Sequence, residues 1–416
     1  MQNNINILEM AKIIKSKGGN LYLVGGAVRD ELLGIKSHDE DYCVTGISFE
    51  EFKKLFPKAH IRGKSFAVFD IEGKEFALAR RERKSGTGHK EFEIETDKSI
   101  TIEDDLSRRD ITINAIAKEV LTGKIIDPFN GRNDLNKKVI RAVTNAFKED
   151  PLRVYRVARF AAKFGFSVDK KTIEMMEELK QELTTISEER VYTEFSKALL
   201  TKKPSIFFNV LREANVLDIH FKCISNLIGA EQPEKYHPEG DAYNHTMIVL
   251  DKVSKETEKL NDERKLEIRF GALVHDLGKG ETPKEEYPHH YMHEKRGVEI
   301  VKKLGNELKI PNRLINCGKT SCREHMRGGI FYKMKPSKKV EFIERIDKSI
   351  LGLDGLQIIV NADNKNAVDF EIIGRKCLEE INGEYIKQRY GLKEGIEFGN
   401  KLHEERVMWM KKHIEE

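Results

Sequence analysis

A glycine pair closing a short apolar run, Leu21-Tyr-Leu-Val-Gly-Gly-Ala-Val-Arg-Asp30, followed closely by Asp39-Glu-Asp41, restricts the fold more than any other stretch of the chain. Leu21 to Val24 reads as a buried strand, and Gly25-Gly26 lets the backbone turn sharply and approach a ligand with no Cβ in the way. Asp39 and Asp41 are two residues apart, so on a strand running into Tyr42-Cys43-Val44 they project on one face and can share divalent cations. Mg²⁺ takes one or two carboxylates and completes its shell with substrate phosphates, and two such ions clamp both oxygens of an in-line displacement. Asp39 and Asp41 are therefore the expected metal-bearing residues. A lone glycine pair is an ordinary turn and a lone acidic triplet a solvated loop; their adjacency points to a metal-dependent nucleotide site.

A chain of 416 residues exceeds one typical domain and predicts roughly two to four, each with its own core. Charged residues make up 34% and hydrophobic ones 39%, and no run of 18 apolar residues suggests a membrane span. Met1 to Met10 lacks a basic segment followed by an apolar one, so the expected compartment is the cytoplasm. Five cysteines without CxxC spacing, Cys43, Cys223, Cys317, Cys322 and Cys377, argue for reduced thiols over a disulfide framework or a structural zinc site. With 73 basic against 69 acidic residues the net charge is +4, so nucleic-acid binding has to rest on local patches. The best are Arg80-Arg81-Glu82-Arg83-Lys84 with Lys90, and the series Arg153, Arg156, Arg159. Arginines in series suit bidentate phosphate or base-edge contacts.

Short apolar runs (Leu21 to Val24, Phe66 to Phe69, Phe76 to Ala79, Ile125-Ile126) mixed with helical stretches such as Phe49 to Phe56 predict an α+β head over 1–135. A helix over Ile5 to Ser16 precedes its first strand. From Asp150, a capping carboxylate, Pro151 in a first turn and the stripe Val154, Val157, Ala158, Ala161 announce helix. Mostly α-helical structure follows: a neck over 136–200, a body or linker over 201–235, a further domain over 236–370 and a helical tail over 371–416. Downstream of the glycine pair, Arg108-Arg109-Asp110 borders the apolar segment from Ile111. Arg109 suits a triphosphate or ribose, and Asp110 suits positioning it. Arg153, Arg156 and Arg159 fall within about 120° of helix surface, making one cationic face.

The order of Gly25-Gly-Ala-Val-Arg-Asp30, Asp39-Glu-Asp41, Arg108-Arg-Asp110, Asp127-Pro-Phe-Asn-Gly131 and Glu149-Asp-Pro-Leu-Arg153 resembles the head and neck motifs of the class II CCA-adding tRNA nucleotidyltransferases. The resemblance implies a head sheet of the polymerase β type, Mg²⁺ on Asp39 and Asp41, nucleotide contacts from Gly26 and Arg29, and sugar and phosphate contacts from Arg109 and Asp110. It further implies that Asp150 and Arg153 read the Watson–Crick edge of CTP or ATP, supported by Arg156 and Arg159, and that the 3′ end of tRNA is the other substrate. Arg80 to Glu93, with Gly86 and Gly88, resembles the flexible loop that helps such enzymes switch from C to A.

His275-Asp276 after Arg269-Phe-Gly-Ala-Leu-Val274, with His245 upstream and Asp363 downstream, resembles the HD phosphohydrolases. Imidazoles and carboxylates there bind Ni²⁺, Co²⁺, Mn²⁺ or Mg²⁺ and activate water. His289, His290, His293 and His325 are further candidate ligands for a second metal, with substrate phosphate the alternative for Pro288 to His293. An attached HD domain is similar to the bacterial multifunctional members of the CCA-adding family, whose activities include 2′,3′-cyclic phosphodiesterase, 2′-nucleotidase and phosphatase; a monomer or homodimer is expected. A poly(A) polymerase shares the head motifs, and an RNA-binding or nucleotide-sensing module with a decayed site is the non-enzymatic alternative.

Overall fold

The computed structural model describes residues 6–36, 39–62, 68–84, 92–95, 97–364 and 369–414, with backbone alone at 81–84 and 92–95. The chain forms two compact units, Met1–Arg190 with Asn209–Val216, and Val191–Phe208 with Leu217–Glu416.

The first unit is built on a mixed sheet. Its strands are β1 (Asn20–Val24), β2 (Asp41–Thr45), β3 (His60–Arg62), β4 (Val68–Ile71) and β5 (Lys74–Leu78); a separate hairpin pairs β6 (Arg81–Lys84) with β7 (Phe92–Glu95), and β8 (Ala117–Glu119) and β9 (Ile125–Ile126) return to the sheet. The order is β3-β4-β5-β2-β1-β8-β9, antiparallel except for the β2–β5 pair. β2 is central, so Tyr42, Cys43, Val44 and Thr45 are all buried and only its first residue, Asp41, is exposed. One face carries Phe52, Phe69, Phe76 and Tyr42, with Tyr42 and Phe76 stacked at 5.0 Å between ring centroids. The expected N-terminal helix is Ile7–Ser16, capped by the Asn6 side chain. The loop expected between Arg80 and Glu93 has antiparallel arms; Gly86, Gly88 and Lys90 lie outside the described residues, as does Phe66.

Helix then takes over. Leu152–Phe164 begins one residue later than a Pro151 start, and the Asp150 carboxylate accepts the Leu152 N–H. Val154, Val157, Ala158 and Ala161 are fully buried, as the helical stripe requires. In the second unit Ala242–Glu256, Asp262–Val274, His293–Glu307, Asn312–Gly329 and Gly352–Asp363 pack on one another. Asn312–Gly329 and Gly352–Asp363 lie in the segment expected to be mostly α-helical, without a clear apolar stripe of their own in the sequence. The first is strongly polar, with Gly318 and a Gly328-Gly329 pair, so its apolar face is thin, and its burial comes from neighbours far along the chain.

Candidate active sites

In the head, Gly25 adopts φ 67°, and a Cβ on it would approach Arg109 Nη1 at 2.8 Å, so only glycine turns β1 into the helix Gly26–Leu32 at this point. Register then sets the carboxylates: Asp41 opens β2 opposite Val24 on one side and Glu75 on the other, with Asp39 just ahead of the ladder. Asp41, Glu75, Asp105, Arg108 and Arg109 line one cavity of about 160 Å³. Enclosure by protein raises the Asp41 pKa, the Asp39 charge works in the same direction, and Arg109 opposes both.

Asp105 organises the arginine pair. It is buried, accepts Arg108 at 2.6 and 3.1 Å and Arg109 at 3.1 Å, and its burial cost is overcome by those two charges, which depress its pKa. It sits three and four residues before the arginines on a helical turn, a spacing visible in the sequence but given no role there. Glu75 was also missed, because only strand pairing brings it to Asp41.

Asp110 is fully enclosed and accepts the Ile111 N–H (2.8 Å), Asn114 Nδ2 (3.1 Å) and Arg156 through Nε (2.8 Å) and Nη2 (2.7 Å). Burial favours its neutral form, but Arg156 and Asn114 more than compensate and hold its pKa at about 2. Asn114 Oδ1 in turn accepts Arg29 Nη1, and buried Arg29 lies 4.8 Å from the Phe164 ring centroid. Arg153 is buried and donates to the Ala146 carbonyl (2.6 Å) and the Arg108 carbonyl (2.7 Å), while Asp150 meets Arg190 at 3.2 Å. Arg159 stacks over Phe160 at 4.0 Å. The three helix arginines share a side of the helix, yet their partners differ: backbone carbonyls for Arg153, Asp110 for Arg156, and the Phe160 ring for Arg159 and, at 5.6 Å, also for Arg156.

The second site is made by helix ends. Four imidazoles use Nδ1 alike: His245 on the Glu239 carboxylate (2.7 Å), His275 on the Ala272 carbonyl (2.7 Å), His293 on the His290 carbonyl (2.8 Å), and His325 on the Ser321 and Cys322 carbonyls (3.1 and 3.0 Å). Each acceptor demands an Nδ1–H donor, so each neutral ring presents Nε2 as a lone pair. These lone pairs converge on acceptors: His245 Nε2 lies 2.9 Å from Asp363 Oδ1, and His293 Nε2 lies 3.4 Å from His325 Nε2. Facing lone pairs repel unless a proton or metal ion lies between them. Burial by itself would lower the His245 pKa, but the Asp363 bond and the Asp276 and Asp363 charges raise it, so the site favours positive charge there.

Asp276 faces both ways. Its Oδ2 lies 3.2 Å from His275 Nε2 and 3.9 Å from His245 Nε2, and its Oδ1 lies 3.3 and 3.4 Å from His293 and His325 Nε2. Among the described residues three donor groups result, His245–His275–Asp363 and Asp276–His293–His325 around Asp276, and His237–Glu239–His245 beside them. Among the described residues, buried His275 Nε2 and both Asp276 oxygens have no partner in hydrogen-bond geometry. The Asp276 pKa is nevertheless held low: burial opposes this, and His275 when protonated and the Lys279 charge override it, with Lys279 Nζ 2.6 Å from Oδ2. The Nε2 and carboxylate oxygen atoms gathered here, His275 Nε2 without a hydrogen-bond partner among them, are a donor set that fits divalent cations.

Of the additional histidines, His293 and His325 enter the cluster. His290 spends both ring nitrogens on Thr282 and the Glu231 carbonyl, and His289 is exposed and outside the donor groups. Glu239, two residues from His237 and bonded to it at 3.1 Å, was not singled out as a working residue in the sequence.

The fold and the two sites are those of a nucleotidyltransferase head joined to an HD domain. Family models agree: a poly A polymerase head domain matches residues 21–141, a probable RNA and SrmB-binding site of polymerase A matches 165–228, and an HD domain matches 242–350. Multifunctional CCA protein of Vibrio campbellii is 42% identical over 369 residues, covering 86% of this chain and 87% of the relative. That of Acinetobacter baylyi is 42% identical over 334 residues, 79% of each. The chain belongs to the Multifunctional CCA protein family. Among solved structures, a CCA-adding enzyme with ATP aligns at TM-score 0.65 and 21% identity over 98% of this chain and 90% of that one. A tRNA nucleotidyltransferase with a primer tRNA and an ATP analog aligns at TM-score 0.60 and 24% identity over 89% and 98%. No helix among the described residues is long and apolar enough to cross a membrane.

Proposed function

We propose that this chain adds and repairs the 3′-terminal CCA of tRNA from CTP and ATP with its head, and hydrolyses phosphoesters at its HD centre. The first activity rests on the cavity where Asp41 and Glu75 stand near Arg109, in a chain of this family. In this reading Asp39 and Asp41, joined by Glu75, hold Mg²⁺, and the bound ions supply charge compensation for attack of an RNA hydroxyl on the α-phosphorus with pyrophosphate leaving. Arg109, held by Asp105, meets the triphosphate; Gly26 and Arg29 border it; Asp110 holds Arg156 beside it. Asp150 and Arg153 act as the template. Two carbonyl bonds fix the Arg153 fork, so its remaining donors and the Asp150 acceptor can match the edge of C or A and reject G and U by leaving polar groups unpaired. Arg159 supports the nucleotide.

At the HD centre His245, His275 and Asp363 would hold one divalent cation and Asp276, His293 and His325 a second, for which nitrogen-rich donors favour Ni²⁺, Co²⁺ or Mn²⁺ over Mg²⁺. Bound metal supplies an activated water for phosphoester hydrolysis, including 2′,3′-cyclic phosphodiesters, 2′-nucleotides and phosphomonoesters. Lys279, anchored by Gln232 at 2.7 Å, keeps Asp276 ionised. The functional divisions follow as head 1–135, neck 136–200, body 201–235, HD domain 236–370 and tail 371–416, acting in the cytoplasm.

The test supplies tRNA lacking its 3′ end with Mg²⁺ and each NTP separately and together, and sequences the products. Ordered C, C, A addition that then stops is expected. Long A tails would replace the reading with poly(A) polymerase, and absence of extension would leave the HD centre as the function.

A further inference from the structure

The helix Asn312–Gly329 has two working faces. His325, with Ser321 and Cys322, points inward, and roughly opposite lie Asn316, Lys319, Thr320 and Arg323, spaced i, i+3, i+4, i+7. This outer stripe and Lys348-Ser349, just past the helix Pro336–Asp347, line a groove of about 300 Å³ with no carboxylate in its wall. Neighbouring cations on these elements are neutralised: Arg313 by Glu263 and Glu267, Arg327 and Arg345 by Glu324, Lys338 by Glu341. Among the described residues Lys319, Arg323 and Lys348 form no ion pair. Three unneutralised cations interleaved with the hydrogen-bonding side chains of Asn316, Thr320 and Ser349 therefore concentrate positive potential in one concave place, although the whole chain carries a net charge of only +4.

We propose that this groove binds backbone phosphates of the RNA substrate. Consecutive phosphates present a row of negative charge with flanking oxygen acceptors, which a Lys–Arg–Lys set with amide and hydroxyl groups matches without reading sequence. The inference rests on the tRNA reading above and assigns the HD unit a share of RNA binding separate from its metal centre.

Binding of end-trimmed tRNA by the full-length protein, measured from 50 to 500 mM KCl, tests it. The variant Lys319→Ala/Arg323→Ala/Lys348→Ala is compared with wild type and with a control, Lys302→Ala/Lys303→Ala, that removes exposed charge elsewhere on the same unit. Each lost phosphate contact lowers the slope of log K against log salt by roughly 0.7 to 1. The triple variant is expected to lose about two to three units of slope and to bind on the order of 100-fold more weakly at 100 mM KCl, with the control changed by under half a unit. The Gln version of the triple variant replaces it if the Ala version does not fold. An unchanged slope overturns the inference, whether or not the variant loses affinity for inorganic phosphate or ATP, and so does an equal loss in the control. Failure of wild-type protein to bind tRNA at all overturns the tRNA reading itself, a result distinct from either.

Discussion

Removing the Arg156 guanidinium isolates a buried charge, and the structure sets the size of the effect. Asp110 has a pKa near 2 in the folded chain against about 3.9 in an unfolded one. At about 1.4 kcal/mol per pKa unit, its folded surroundings, net of the cost of burial, contribute roughly 2.5 kcal/mol to the head at neutral pH. Because the folded value is depressed, that stabilisation is complete above pH 4 and is lost as pH falls from about 4 through 2. Arg156 supplies two of the four bonds to Asp110 described above, but it is about one-third exposed at 35%, which weakens its share through solvent screening. Arg156→Ala should therefore cost the head roughly 2 kcal/mol, raise the Asp110 pKa, and move acid destabilisation to higher pH. The only tryptophan, Trp409, lies in the other unit, so its fluorescence is the wrong probe. Hydrogen exchange of peptides covering 105–116 and 150–164 between pH 5 and 8 reports the local stability. Asp110→Asn/Arg156→Ala, which removes the stranded charge, should be less destabilised than Arg156→Ala. Unaltered exchange in Arg156→Ala, or a double variant worse than the single one, would refute the assignment of Asp110 as an arginine-stabilised buried anion.

Other outcomes follow from the same geometry. Asp41→Ala should abolish incorporation of labelled CMP into trimmed tRNA while leaving tRNA affinity within twofold; retained incorporation removes Asp41 from the chemistry. Glu239→Gln should weaken divalent-metal affinity by about 10- to 100-fold, because the Nδ1 partner orients the His245 ligand, with calorimetric titration as the readout and an unaltered dissociation constant as the contrary result. At Gly278 a Cβ would overlap the His293 carbonyl and crowd the Gly297 nitrogen, so Gly278→Ala should lower the melting temperature of the HD unit and its metal content by elemental mass spectrometry. Wild-type metal content in that variant would show that His293 is not displaced.

Much of the site was legible because its residues are close in sequence or sit at helical and strand spacings. His275 and Asp276 are adjacent and Asp110 lies next to the arginine pair, whereas of Asp39 and Asp41, expected on one strand face, only Asp41 lies on β2. Asp105 was readable in principle by its i+3 and i+4 relation to Arg108 and Arg109. Glu75 and Glu239 were not: one meets Asp41 through a parallel strand pairing, the other meets His245 across a loop. Four candidate histidines had equal standing in the sequence, and helix packing separated them by bringing His293 and His325 to Asp276 while turning His290 toward Thr282 and the Glu231 carbonyl. The arginine series was legible as a face of a helix, but not the division of its partners among carbonyls, Asp110 and Phe160.

By itself the sequence determined the motif order, the strand at Leu21 to Val24, the turn that only glycine permits, and the change from sheet to helix near residue 150, since short-range backbone sterics and hydrophobic periodicity act within a few residues. Tertiary structure alone decided which atoms meet: the register that sets Glu75 against Asp41, the approach of Arg156 and Asn114 that holds Asp110 as an anion despite its burial, and the convergence of four Nε2 atoms around Asp276. Charge stabilisation and metal ligation depend on distances of a few ångströms between residues as much as 118 positions apart, as in the His245–Asp363 bond, and only packing of the whole unit fixes such distances.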